Sequence, residues 1–413
     1  MTVDQRPVQR LGSPTTGNAT KVLLLGGGEI GKELTISFQK LGLEVHAVDK
    51  FPNAPAHQVA QFAHVADATD PGQVRSLVQR VRPDFVVPEI ETVATDALAE
   101  VAESKRVTVV PTARACDLSV GKESIRTIAH DELGLPTTAY CFASTREEYE
   151  AAFEKLGYPC IVKPEVSTSG RGHTLVRGPE DIDDAWQQAL RSSPGTRSSG
   201  QVVVERFVDF DYEVTILAVR SIDPETGELA TWFCEPIGTR HSGGDLVECW
   251  QPMEMSERAM DNARSVAARI TNELGGRGVY GVELFVAGDE VYFSSVSPRP
   301  ADAGMLTLAT QRFSEFDLHV RAVLGLPIDV TLTTPGAAVV LHADDQSRSV
   351  SYTGLADALA VTEADVRLFG KSTSYDGRRM GLALATGESV ETARQRAAEA
   401  AAKISIETSR QKV

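Results

Sequence analysis

From Lys21 to about residue 113 the chain alternates short apolar runs with stretches at helical spacing, and this alternation limits the fold more than any other feature. "KVLLLGGG" reads as a buried strand ending in glycines, after which Ile30, Leu34, Phe38 and Leu41 recur along one helix face. "LEVHAVDK" is the next strand, and "DFVVPEIE" and "RVTVVPT" are two more, each after a helical stretch. Strands that alternate with helices pair side by side in parallel, because each helix carries the chain back across the sheet. The expectation is an α/β protein whose N-terminal part is a doubly wound, mostly parallel sheet.

Near Ala113 the texture changes. "CDLSVGKESIRTIAHDELGLP" reads as helix, and "YPCIVKP", "TLVRG", "GQVVVERFV" and "YEVTILAVRS" read as antiparallel strands, interrupted by a Ser/Gly-rich loop from Arg191 to Gly200. A third segment after Leu326 holds strands "GAAVVLHA" and "ADVRLFGK" and a closing Ala-rich helix from about Ser389. The layout expected is a flexible tail over 1–20, an α/β domain over 21–120, a central α+β domain over 121–327 and a small β-rich C-terminal domain over 328–413. A length of 413 residues suits three such domains.

The net charge of −16 argues against nucleic acid or an anionic membrane as the main partner, while leaving room for a local basic pocket for phosphates. Five scattered cysteines without CxxC spacing indicate neither a zinc site nor a disulfide framework. No apolar run approaches the ~20 residues of a membrane span, and the first 20 residues lack an apolar signal core, so the expected setting is cytoplasmic.

Two glycine loops carry the chemistry. In the first, Gly26-x-Gly28-x-x-Gly31 joins a strand to a helix, with Asp49 about twenty residues on. Glycines there let backbone N–H groups approach a phosphate at the positive end of the helix. A tight turn without ligand, a nicotinamide cofactor and another small phosphorylated molecule all remain open. Glu29 inside the loop disfavours a pyrophosphate and suits a ligand that carries an amine as well as a phosphate. Glu89, ending another strand of the same sheet, reaches the same edge, either as a helix N-terminal acid or as a binding group.

The second loop is "IVKPEVSTSGRGHTLV", where Lys163 ends an apolar strand and a small flexible segment follows. Such a loop closes backbone amides over phosphates while the lysine neutralises them. No G-K-[ST] opens a helix, so it is not a Walker A loop. Downstream, "VVVERFVDFDYEV" places Glu205 at an apolar connection and Glu213 on the next strand, suited to an adenine edge and to ribose hydroxyls. "SYDGRRMG" reads as a turn with paired cations, either a solvated hairpin tip or a phosphate site.

Together, "GGGEIGKE", "VVPEIETVATD", "GYPCIVKP", the loop from Thr168 to Gly172, "GVELFV", "SPRP" and "DGRRMGLALA" resemble the ATP-grasp superfamily, and within it the formate-dependent phosphoribosylglycinamide formyltransferases, from Lys21 to about Ile406. The resemblance implies a three-domain ATP-grasp architecture and a purine-biosynthetic reaction. ATP, formate and glycinamide ribonucleotide would give the formylated ribonucleotide, ADP and phosphate through formyl phosphate, usually with Mg²⁺. It also implies a homodimer.

Carried over by position, Lys122 and Lys163 would contact ATP phosphates, and Thr168, Ser169, Gly170, Arg171, Gly172 and His173 would cover them. Glu205, Arg206, Phe207 and Val208 would border adenine, and Glu213 would bind ribose. Glu29, Ile30, Glu89, Asp302, Lys371, Arg378 and Arg379 would hold the ribonucleotide, with the two arginines on its phosphate. Lys163, Gly170 and Asp302 would act in catalysis. Lys122 stands where the family has an arginine, and Arg171 where it has a lysine.

The largest departure lies in "VYFSSVSPRPADAG". The resemblance implies two metal-binding glutamates on neighbouring strands; Glu283 supplies one, and Ser295 occupies the place of the other. Ala301 likewise replaces a histidine before Asp302. A hydroxyl is a weaker Mg²⁺ ligand than a carboxylate. The chain is therefore a working but altered enzyme, a ligase for a different acid or amine, or a nucleotide-binding relative that does not turn over. A nicotinamide oxidoreductase would explain only the first loop.

Overall fold

The computed structural model describes residues 7–165, 172–192 and 200–408. Its N-terminal sheet consists of β1 (Lys21–Leu25), β2 (Glu44–Asp49), β3 (Phe62–Val65), β4 (Phe85–Pro88) and β5 (Thr108–Val109), in the order β3-β2-β1-β4-β5. Every pairing is parallel. Helices α1 (Glu29–Lys40), α2 (Pro71–Val81) and α3 (Thr95–Glu103) make the crossovers.

Period-two alternation explains why β1 is apolar throughout. Val22 and Leu24 pack on the side of Leu34 and Phe38 of α1, whereas Leu23 and Leu25 face Val74 and Leu77 of α2 and Leu98 of α3. Leu34 and Phe38 are fully buried, each contributing roughly 1.5–3 kcal/mol. Truncating Phe38 to alanine would cost about 3–5 kcal/mol.

Residues 7–20, expected as a loose tail, lie against the body. Val8 N–H donates to the Leu324 carbonyl at 2.9 Å, and Thr15 N–H donates to Glu44 Oε2 at 2.7 Å.

The helix expected from Cys116 onward is broken. It forms α4 (Ala113–Val120) and α5 (Lys122–Thr127), with Gly121 extended between them at φ −87° and ψ 130°. The cause is tertiary: Lys122 N–H donates to the Glu165 carbonyl at 3.3 Å, and a Cβ at Gly121 would lie 2.7 Å from Glu165 Oε1.

A small antiparallel sheet follows, built from β6 (Tyr140–Ala143), β7 (Cys160–Pro164), β8 (Thr174–Val176) and β9 (Val202–Arg206), in the order β6-β9-β7-β8. Helices α6 (Arg146–Leu156) and α7 (Ile182–Ser192) cover it through Tyr149, Phe153, Ala185 and Ala189. Arg191, read as the start of a loop, belongs to α7; residues 193–199 of that loop lie outside the described residues.

The largest sheet contains β10 (Tyr212–Ile222), β11 (Leu229–Phe233), β12 (Ile237–Ser242), β13 (Asp245–Gln251), β14 (Gly278–Ala287) and β15 (Glu290–Ser297). Helix α8 (Glu257–Leu274) lays Ala259, Ala263, Val266 and Ile270 on one face of it. After the short α9 (Thr307–Thr310) and α10 (Glu315–Leu324), the C-terminal segment adds β16 (Gly336–His342), β17 (Val350–Thr353), α11 (Leu355–Leu359), β18 (Ala364–Leu368), β19 (Arg379–Thr386), α12 (Val390–Lys403) and β20 (Ser405–Thr408). Three of these strands continue the central sheet, in the order β15-β14-β10-β12-β13-β16-β19-β18, with β11 paired to β10. Continuous backbone pairing between β13 and β16 thus carries the C-terminal segment back toward the N-terminal glycine loop.

Candidate active site

The first glycine loop is shaped by close approaches. Gly26 has φ +139°, and a Cβ at Gly31 would sit 2.3 Å from the Gly26 carbonyl oxygen. Gly28 caps α1 without a side-chain bond, and a Cβ there would meet nothing within 4 Å. Asp49 turns inward, accepting from Gly27 N–H at 3.2 Å and Phe51 N–H at 2.9 Å, so its carboxylate is not poised for a nicotinamide ribose.

Residues far apart in sequence meet over this loop. Lys371 Nζ lies 2.9 Å from Glu29 and donates to the Arg379 carbonyl, also at 2.9 Å. The Arg379 guanidinium pairs with Asp302 and lies 3.5 Å from Glu29. Glu89 abuts Gly26, where an added Cβ would meet its Oε2 at 2.1 Å. Burial raises the Glu89 pKa to about 8; Arg299 opposes the shift, and Glu29, Asp302 and Glu91 add to it. The shift favours the protonated carboxyl, which can donate a hydrogen bond. Ile30 packs into the apolar core, so only its main chain can serve a ligand. Arg378 points elsewhere than Arg379: it donates to the Thr373 carbonyl at 2.8 Å and lies over the Tyr375 ring at 5.2 Å.

In a second charged cluster, Lys163 Nζ is 2.6 Å from Glu205 Oε2, and Arg126 donates to Glu205 Oε1 at 2.9 Å. Burial alone would raise the Glu205 pKa, but Arg126 and Lys163 outweigh it and hold it near 2. The Glu205 side chain is thus taken up by two cations, so the adenine contact expected of this residue could come only from its main chain. Phe207 N–H donates to the Pro159 carbonyl at 3.0 Å, fixing that connection. Lys122 sits at the start of α5, its pKa lowered to about 8 by burial and by Lys163. His173 is held neutral by burial and by the same two lysines, its pKa pushed down to about 2. Gly172 adopts φ +78°. Thr168, Ser169, Gly170 and Arg171 lie outside the described residues.

Glu213 hydrogen-bonds His241 across β10 and β12. Burial disfavours the imidazolium, but this bond and the Glu213 charge prevail and raise the His241 pKa. Glu283 and Asp302 also act on His241 through their charge, so these acids face one cleft.

Glu283 and Ser295 stand opposite each other on β14 and β15, at a bulge that leaves Ser294 as the extra residue. Ser295 Oγ donates to Glu283 Oε2 at 2.6 Å. Among the described residues no group of three or more His, Cys, Asp or Glu is arranged to hold a metal. One exposed carboxylate beside a hydroxyl fits a Mg²⁺ that takes its remaining ligands from phosphates and water, rather than a closed cage. The adjoining turn is braced from below: Glu315, fully buried, accepts from Ala301 N–H at 2.9 Å, and burial raises its pKa well above the ordinary carboxyl value. Ala301 fills the space over Gly281, where an added Cβ would lie 2.7 Å from its own.

Sequence reasoning missed Arg126, His241, Arg299 and Glu91. Arg299 pairs with Glu91 at 2.8 Å beside Glu89, and its setting between Pro298 and Pro300 was the only available signal. Arg126 and His241 carry no motif of their own; only folding brings them to Glu205 and Glu213.

Family models match along most of the chain. The ribonucleotide synthetase preATP-grasp domain matches residues 19–120, the ATP-grasp domain residues 128–316, and the family described as "PurT, C-terminal" residues 336–404. The formate-dependent phosphoribosylglycinamide formyltransferase of Corynebacterium glutamicum (strain R) is 60% identical over 398 residues, covering 96% of this chain and 97% of that protein. The solved structure of glycinamide-RNase-transformylase T from Mycobacterium tuberculosis matches with a TM-score of 0.78 and 38% identity, over 93% of this chain and 100% of that one. Carboxyaminoimidazole ribonucleotide synthase from Aspergillus clavatus, solved with ATP, matches with a TM-score of 0.82 and 25% identity, over 93% and 98%. No described helix is long and apolar enough to cross a membrane.

Proposed function

The chain belongs to the formate-dependent phosphoribosylglycinamide formyltransferase family, and from that premise we propose that it joins formate to the amine of glycinamide ribonucleotide at the expense of ATP. The observation that carries the reading is the approach of two charged clusters. Lys122 and Lys163 belong to one, Glu29, Glu89, Asp302, Lys371 and Arg379 to the other, and the Glu91 charge acts on Lys122, Glu89 and Arg379 alike.

Formate has no leaving group, so its oxygen first attacks the γ-phosphorus of ATP, releasing ADP and forming formyl phosphate. The ribonucleotide amine then attacks the formyl carbon, and the departing phosphate carries off the amine proton. Lys163 and Lys122 neutralise the charge on the transferring phosphoryl group. His173, being neutral, adds no competing cation. Glu89, in its protonated form, donates to a ribose or amide oxygen. Arg379 and Lys371 carry the positive charge that a ribose phosphate requires, while Asp302 and Glu29 hold them in place. Glu283, with the Ser295 hydroxyl, is the group that would hold Mg²⁺, which would neutralise phosphate charge. Thr168 to Arg171 serve in this reading as the cover that excludes water from the acyl phosphate. The proposal extends to a cytoplasmic homodimer, as expected for the family.

A second reading, a relative with altered acid or metal preference, is favoured by Ser295 alone. The test is ADP release with Mg-ATP, formate and glycinamide ribonucleotide, omitting each in turn. Turnover that requires all three supports the assignment. ADP release independent of the ribonucleotide, or restored only by another amine or acid, overturns it.

A further inference from the structure

Arg126 is 2% exposed on α5, yet it holds two parts of the cleft at once. Its Nη2 donates to Glu205 Oε1 at 2.9 Å, and its Nη1 donates to the Phe293 carbonyl on β15 at 2.8 Å. Phe293 N–H in turn donates to the Pro136 carbonyl, and Ser295 lies two residues further along the same strand. The same guanidinium therefore ties the small sheet behind the nucleotide loop to the strand opposite Glu283.

The charge count of this buried cluster is decisive. Glu205 carries one negative charge shared between two cations, Arg126 on one oxygen and Lys163 on the other. With both present the trio is net positive by one, in addition to the charge of Lys122 beside Lys163, and an anion can draw on that surplus. Without Arg126, Lys163 and Glu205 cancel, and a lone buried carboxylate holds the ammonium tightly.

We propose that Arg126 is a positioning residue for the nucleotide reaction: it neutralises Glu205 so that the Lys163 charge is available to the ATP phosphates. This rests on the reading of Lys163 as a phosphate ligand. Arg126 itself touches no substrate.

The experiment measures ADP affinity directly, by calorimetry, in the full chain, Arg126→Met, Arg126→Lys, Glu205→Gln and the double variant Arg126→Met/Glu205→Gln. The expected loss in Arg126→Met is about 10- to 100-fold, the range of one charge-assisted interaction. Arg126→Lys retains the charge and should recover most of it. The double variant is diagnostic: removing the Glu205 charge releases Lys163, so it should bind ADP better than Arg126→Met alone. A purely structural role predicts that two buried substitutions are no better than one, and that result overturns the proposal. Should Arg126→Met fail to fold by circular dichroism, Arg126→Gln and its Glu205→Gln double carry the same comparison. A parent chain that fails to bind ADP would instead overturn the ATP-dependent assignment itself.

Discussion

Ser295 Oγ donates a hydrogen bond to Glu283 Oε2 at 2.6 Å across β14 and β15, at the one place in that strand pair where the register shifts. The bulge sets Ser295 opposite Glu283, so a neutral hydroxyl is the neighbour of that carboxylate. Substituting Ser295→Glu would set two carboxylates face to face, which repel in the absence of a cation and bind one well when it is present. The expected outcome is a lower Tm in EDTA and a gain with Mg²⁺, of about 2.7 kcal/mol at a hundredfold excess over Kd. The Mg²⁺ needed for half-maximal ADP formation should fall as well. An unchanged Mg²⁺ dependence of both readouts would remove position 295 from the metal shelf.

Glu89 sets a pH dependence whose sign can be worked out. Its pKa rises on folding from the ordinary 4.5 to about 8, so in that window the folded chain binds more protons than the unfolded one. Stability then falls as pH rises from the unfolded value through about 8, and levels off above it. Glu89→Gln has no charge to lose, so its Tm advantage over the parent should grow across this window. A difference in Tm that stays flat between pH 5 and 9 would show that Glu89 is ionised in the folded chain.

The glycines of the first loop separate packing from ligand access. Gly31→Ala places a methyl 2.3 Å from a backbone oxygen and should cost about 1–3 kcal/mol of stability. Gly28→Ala meets no protein atom and has an ordinary φ of −69°, so its Tm should stay close to that of the parent. The ribonucleotide KM of Gly28→Ala should nevertheless rise, since the proposed function brings the ribonucleotide to the helix end there. A parent-like KM would place the ligand away from the loop.

Arg378 and Arg379 are adjacent in sequence but differ in surroundings. Arg379→Met removes the partner of Asp302 and one partner of Glu29, so both Tm and ribonucleotide affinity should drop. The stability loss is roughly 1–3 kcal/mol, less than for a fully buried pair because the groups are partly exposed. Arg378→Met disturbs only the Thr373 bonds and the Tyr375 stacking, so KM should rise with little change in Tm. Calorimetric melts alongside KM for ATP and ribonucleotide decide it; an unchanged ribonucleotide KM in Arg378→Met would exclude that side chain from the phosphate site.

The sequence by itself determined the elements and their types wherever local pattern and burial agree. The apolar run Val22–Leu25 had to be a strand covered on both faces, and Glu29 and Lys163 could be placed at element ends because strand and helix periods locate them. The resemblance put Ser295 beside Glu283, whereas counting back from the Ala287–Glu290 turn would have set Ser294 opposite Glu283; the bulge decides for Ser295. Tertiary structure decided what local pattern does not contain. The break at Gly121 arises from Glu165, and the C-terminal strands join the central sheet through β13 and β16. Lys371 reaches Glu29, 342 positions away, and Arg126 finds Glu205 and Phe293. A lone arginine on a short helix has the same local signature whether it is solvated or buried. Only the packing of α5 between two sheets removes it from water and obliges it to take a carboxylate as partner.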